Sequence, residues 1–135
     1  MSTRSRIGLL LDNGNILSVY HHWDGYPEAL GAKLTKEYTT KDAVSDLIDG
    51  GDISTCMSRS NWDGQPTVDE FVLYYRERGD LDVEPQLSDN EREFFALTRG
   101  CDGEYAYVFD PVTKVWSCYD MHGAVTVPLY AELVA

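Results

Sequence analysis

Apolar and polar positions along the chain fall into short segments with two different periods. Residues 6–11 (RIGLLL) and 15–20 (NILSVY) are apolar runs on either side of Asp12-Asn13-Gly14. An Asn-Gly step between two such runs predicts a hairpin, because glycine accepts the positive φ that a tight turn needs. Residues 104–110 (EYAYVFD) and 114–120 (KVWSCYD) alternate with a period of two around Pro111-Val112-Thr113, which predicts a second hairpin. Between the hairpins the period changes. Leu30, Leu34 and Tyr38 recur about one helical turn apart, so a helix is expected over 28–38, with Pro27 in the first turn where its missing N–H costs nothing. Thr40 as an N-cap opens a helix over 41–49, which turns Ala43, Val44, Leu47 and Ile48 to one side and stops at Gly50-Gly51. Ser88 as a cap predicts a third helix over 89–98, ended by Gly100.

The remaining segments carry weaker patterns. Residues 71–76 within EFVLYYR favour a strand by composition, with a short helix from Thr67 as the alternative. Residues 52–67, rich in Gly, Ser, Asn and Pro, and the acidic, proline-interrupted residues 80–87 read as loops. The apolar tail over 127–134 is expected to dock as a short strand or helical turn. Together these elements predict one α+β domain over residues 1–135. Its sheet is expected to be mostly antiparallel, built from the two hairpins and the 71–76 strand, with all three helices on one face.

Charge changes this picture most. The chain carries 23 acidic and 11 basic residues, a net −12, and residues 1–40 hold four of each sign, so the whole excess lies beyond residue 40. A phosphate backbone is held by Lys and Arg, so direct nucleic-acid binding is not expected. No apolar run approaches the roughly 20 residues that span a bilayer, and the stretch before Asp12 is too short for a signal-peptide core. A membrane is therefore not an expected partner, and a cytoplasmic location is. Cys56, Cys101 and Cys118 are odd in number, widely spaced and without a Cys-x-x-Cys pair, which speaks against a disulfide framework or a zinc knuckle.

Candidate chemistry gathers at YHHWDGYPEALG, residues 20–31, and part of it returns as Trp62-Asp63-Gly64-Gln65-Pro66. Asp-Gly makes a turn, the tryptophan anchors it, and proline sets the next segment, so structure alone accounts for the corner. An exposed Trp23 and Tyr26 would instead form an aromatic contact surface. His21, His22 and Asp24 suggest metal or acid/base hydrolysis, but neighbouring residues of a strand point to opposite faces, so the two rings cannot share one ion. His122 is the only other histidine. No Gly-x-Ser-x-Gly elbow or phosphate-cradling glycine loop is present, and the acids Asp102, Glu104 and Asp110 are unsurprising in so acidic a chain. No catalytic residue, metal or cofactor is assigned.

Acidic stripes carry the stronger suggestion. Asp42, Asp46 and Asp49 fall at i, i+4 and i+7, which lines three carboxylates along one helix face about 5–6 Å apart, a little less than successive phosphates of a nucleic-acid strand. The acids Asp80, Asp82 and Glu84, and Asp89, Glu91 and Glu93, extend the stripe. Its alternative is a solvated face that aids solubility.

The order VYHHWDGYPEALGAKLTKEYTTKDAVSDLIDGGDIS, then YYRERGD, then EYAYVFD and KVWSCYD, resembles a group of small, largely uncharacterised bacteriophage proteins that share the His-Trp-Asp-Gly-Tyr-Pro-Glu corner. The resemblance covers most of the chain. It implies a phage origin and an α+β fold with a strand at 71–76, and brings no catalytic residues with it. By analogy of lifestyle, the expected activity is that of a non-enzymatic protein acting in the host cytoplasm. It would bind a host defence or nucleic-acid-handling protein with a basic surface through Asp42, Asp46, Asp49, Asp80, Asp82 and Glu84, with Trp23 and Tyr26 as an aromatic anchor. The alternatives are a hydrolase at His21/His22/Asp24 and a phage structural or assembly component.

Overall fold

A computed structural model describes residues 2–122 and the backbone of residues 127–130. The first hairpin forms as expected from β1 (Ser5–Leu10) and β2 (Ile16–His21), paired antiparallel from Ser5 opposite His21 to Leu10 opposite Ile16. Its turn is closed by Gly14 at φ 87°, with the Leu11 N–H donating to the Asn15 carbonyl at 2.8 Å. The second hairpin, β6 (Tyr105–Asp110) and β7 (Val115–Asp120), also forms. A final strand, β8 (Val127–Tyr130), pairs antiparallel with β7, while residues 131–134 of the expected tail element lie outside the described residues.

The sheet is mixed. Its strands run in the order β4 (Pro66–Tyr74), β3 (Ile53–Ser60), β2, β1, β6, β7, β8, with β5 (Gln86–Ser88) also paired to β2. The antiparallel hairpins are joined through two parallel junctions, β1 with β6 and β2 with β3, so the mostly antiparallel sheet of the sequence reading is only partly what forms. Residues 52–67 are not a loop throughout. They contain β3 (Ile53–Ser60), whose serines Ser54 and Ser58 are buried where a period-two reading looks for large apolar groups. β4 (Pro66–Tyr74) begins five residues before the expected strand and ends two before it, giving way to a tight 3₁₀ turn over Tyr75–Arg78. Within the acidic segment, β5 (Gln86–Ser88) is a short strand on β2.

The first helical segment starts with a wide turn at Pro27–Gly31 and continues as α1 (Ala32–Glu37). In α2 (Lys41–Asp49) the Thr40 hydroxyl accepts the Ala43 N–H at 3.1 Å, the expected cap. In α3 (Glu91–Gly100) the cap is Asn90, whose side chain accepts the Glu93 N–H at 2.9 Å; Ser88 belongs to β5 instead, and Gly100 closes the last turn from within.

The three helices do not share one face. Leu30, Leu34, Val44, Leu47 and Ile48 pack with Ile7, Leu9, Val19, Tyr107 and Phe109, whereas Phe94 of α3 packs with Ile16, Ala106 and Val108. Ile7 and Leu9 alternate with Gly8, and Tyr107 with Ala106 and Val108, so these are the two opposite sides of the sheet. Central strands that are apolar on both sides need a layer on each. Helices α1 and α2 supply one and α3 the other.

Candidate functional site

The corner after β2 is pinned from several directions. The His22 and Trp23 N–H groups donate to the carbonyls of Ile53 (3.0 Å) and Ser54 (2.9 Å), which carries the β2–β3 pairing past the strand end. Asp24 takes the left-handed conformation at φ 56°, the Gly25 N–H reaches the Thr3 carbonyl at 2.8 Å, and the Tyr107 hydroxyl donates to the Gly25 carbonyl at 2.7 Å. Positive φ therefore falls on the aspartate of this corner. In the second corner it falls on Gly64, at φ 79°. Gly25 is required for closeness: a Cβ there would stand 2.5 Å from Ser5 Oγ and 2.6 Å from the Thr3 carbonyl oxygen.

The histidines diverge as strand alternation demands. His21 is fully buried beneath the corner, and its Nε2 accepts the Cys56 N–H at 3.3 Å. Burial, with a lesser push from His22, lowers its pKa to about 3, so the ring is neutral and carries its proton on Nδ1. His22 turns to the opposite side, where Nδ1 meets the Tyr20 hydroxyl at 2.5 Å. Burial and then the Arg4 charge lower its pKa. His122 lies elsewhere, between Asp120 (Nδ1 to Oδ1, 2.5 Å) and Glu104 (Nε2 to Oε1, 2.9 Å), whose hydrogen bonds raise its pKa. The His21/His22/Asp24 set is thus not assembled around one point. Among the described residues no group of three or more His, Cys, Asp or Glu is arranged to hold a metal ion.

The fold instead brings the two repeated corners into one aromatic group. The Trp23 ring stands edge-on to His22 at 4.8 Å between centroids, His22 lies 6.5 Å from Tyr75, and Tyr75 lies 5.6 Å from Trp62. Trp62 is held by its Nε1 donating to the Tyr74 carbonyl at 3.1 Å. The Arg78 guanidinium sits 4.7 Å from the Trp62 ring centre and 5.1 Å from that of Tyr75, and it grips Asp80 through two hydrogen bonds of 2.9 and 2.7 Å. Trp23 and Tyr26 are exposed, at 44% and 38%. Sequence reasoning missed His22, Trp62, Tyr75 and Arg78 as one cluster, although the Trp-Asp-Gly-x-Pro echo was its signal.

Asp42, Asp46 and Asp49 lie exposed along α2, because Val44, Leu47 and Ile48 turn the other side of the helix into the core. None of the three takes part in a salt bridge among the described residues. Loop residues join them at the helix end: the Asp52 N–H donates to the Val83 carbonyl at 2.8 Å, and Gly51 lies tight against the same carbonyl. This places the exposed Asp82 and Glu84 on either side of Val83 next to the C-terminus of α2. Asp80 belongs to the same loop, but its charge is matched by Arg78, which also lowers its pKa. The loop thus connects the α2 row to the aromatic group. No protein-family model, curated protein or solved structure matches this chain.

Proposed function

We propose that this is a non-enzymatic binding protein that engages a partner with a basic surface. The observation that carries the reading is the α2 row: three exposed carboxylates, free of salt bridges among the described residues and continued by Asp82 and Glu84. Carboxylates about 5–6 Å apart on a rigid helix present a phosphate-like line of charge to a groove built for nucleic acid. In the phage setting that the resemblance implies, the partner is a host defence or nucleic-acid-handling protein and the encounter takes place in the host cytoplasm. Trp23 and Tyr26, exposed at the corner after β2, supply an apolar anchor. Because exposed charges are screened over about 10 Å at 0.1 M salt, such a complex weakens steeply as salt rises.

The test is a tagged pull-down from nuclease-treated bacterial lysate, eluted by a salt gradient and identified by mass spectrometry. A nucleic-acid-handling protein released at moderate salt, and lost when Asp42, Asp46 and Asp49 are all replaced by Asn, is the expected result. Retention of the same partner by that triple variant would show that the α2 row is not the contact.

A further inference from the structure

The two corners share the order Trp-Asp-Gly-x-Pro, and the tryptophan of one of them already lies against a cation. Over Trp62 the Arg78 guanidinium lies at 4.7 Å from the ring centre, within the roughly 6 Å of a cation–π contact, while its two-pronged grip on Asp80 supplies the counter-charge. At the other corner the tryptophan is open and the counter-charge on offer is the corner's own aspartate, where the Trp62 corner draws on Asp80 from a neighbouring loop. Trp23 keeps 44% of its surface open, Asp24 follows it directly and is exposed, and Asp24 joins no salt bridge among the described residues. The backbone that carries both side chains is fixed: the Trp23 N–H donates to the Ser54 carbonyl at 2.9 Å, and the Asp24 carbonyl accepts the Leu30 N–H at 3.2 Å.

We infer that the Trp23-Asp24 corner is the docking point for an arginine side chain of the partner, with the guanidinium laid on the indole and forked onto the Asp24 carboxylate. The inference rests on the proposed basic partner and names the chemistry of its anchor. Arginine fits better than lysine because its planar guanidinium both stacks on a ring and pairs with a carboxylate through two parallel hydrogen bonds. The net charge of −12 concentrates cations at the surface, and the loop of Arg78, Asp80, Asp82 and Glu84 joins the corner's aromatic group to the α2 row.

The test titrates the intact, ¹⁵N-labelled protein with a capped hexa-arginine peptide and with a hexa-lysine peptide of equal charge at low salt. The reporters are the indole N–H signals. Those of Trp62 and Trp116 are engaged with carbonyls of Tyr74 and Tyr38, which sets the Trp23 signal apart. The expected result is a shift of the Trp23 indole, stronger binding of hexa-arginine than of hexa-lysine, and a roughly three- to fivefold loss of hexa-arginine affinity in Trp23→Leu. Trp23→Phe, which keeps a ring in the corner, should retain part of that affinity, and Asp24→Asn should remove the preference for arginine. Shifts along α2 with a silent Trp23 indole would overturn the anchor while leaving the acidic surface standing. Equal response to the two peptides, or a Trp23 shift that follows protein concentration alone, would overturn it in favour of plain charge attraction or self-association. Absence of binding to either peptide would overturn both readings.

Discussion

Asp52 Oδ1 accepts the backbone N–H of Tyr20 at 2.9 Å, so a side chain takes the place of a strand in the sheet. The outer edge of β2 is divided: β5 pairs with it at Ile16–Ser18, and β3 takes over at His21. Tyr20 falls in the gap, and without Asp52 its donor would have no ladder partner there. Burial raises the Asp52 pKa, and the Tyr20 hydrogen bond and then Arg6 pull it back.

Replacing Asp52 by Ala removes that acceptor and should cost about 1 kcal/mol, since the Tyr20 donor it leaves unpaired is part-buried. Asp52→Asn keeps the oxygen and should cost clearly less. Urea denaturation of the two variants decides the matter, and equal losses would mean that the hydrogen bond is not what Asp52 contributes.

Gly25→Ala should destabilise the fold by about 1–3 kcal/mol, because the new methyl meets Ser5 Oγ and the Thr3 carbonyl at 2.5 and 2.6 Å in a tightly packed place. Gly100→Ala is the matched control. Nothing stands within 4 Å of its Cβ position, so it should be neutral or stabilising by up to about 1 kcal/mol through the unfolded chain. Thermal melts of both variants in parallel test the contrast.

His21 makes stability depend on pH in a stated direction. Its folded pKa of about 3 lies below the ordinary 6.5, so as pH falls the unfolded chain takes up the proton first. The contribution is whole above pH 6.5 and is lost progressively from 6.5 towards 3, with a slope of at most about 1.4 kcal/mol per pH unit. Urea midpoints between pH 7 and pH 4.5 should fall more steeply in the native protein than in His21→Gln, which cannot titrate. Parallel curves would show that His21 is not the buried neutral ring.

Local pattern was enough for the elements that close on themselves. Asn13-Gly14 marked the first hairpin, Pro111-Val112-Thr113 the second, and Thr40 the start of α2, because turns and caps are decided by residues within a few positions of one another. The exposed row Asp42, Asp46 and Asp49 was legible for the same reason, since helical periodicity alone sets which side of α2 faces out. What the sequence did not disclose depends on distant partners. β3 is a strand because β2 and β4 lie on either side of it, and its serines carry no local sign of that. The parallel junction of β1 with β6, whose paired residues are 100 positions apart, and the placing of α3 opposite α1 and α2 follow from central strands with two apolar sides, which only tertiary packing can cover. The meeting of Trp23, His22, Tyr75, Trp62 and Arg78 belongs to the same class. The repeated corner was visible in the sequence, but its convergence on one surface was decided by the path of β3 and β4.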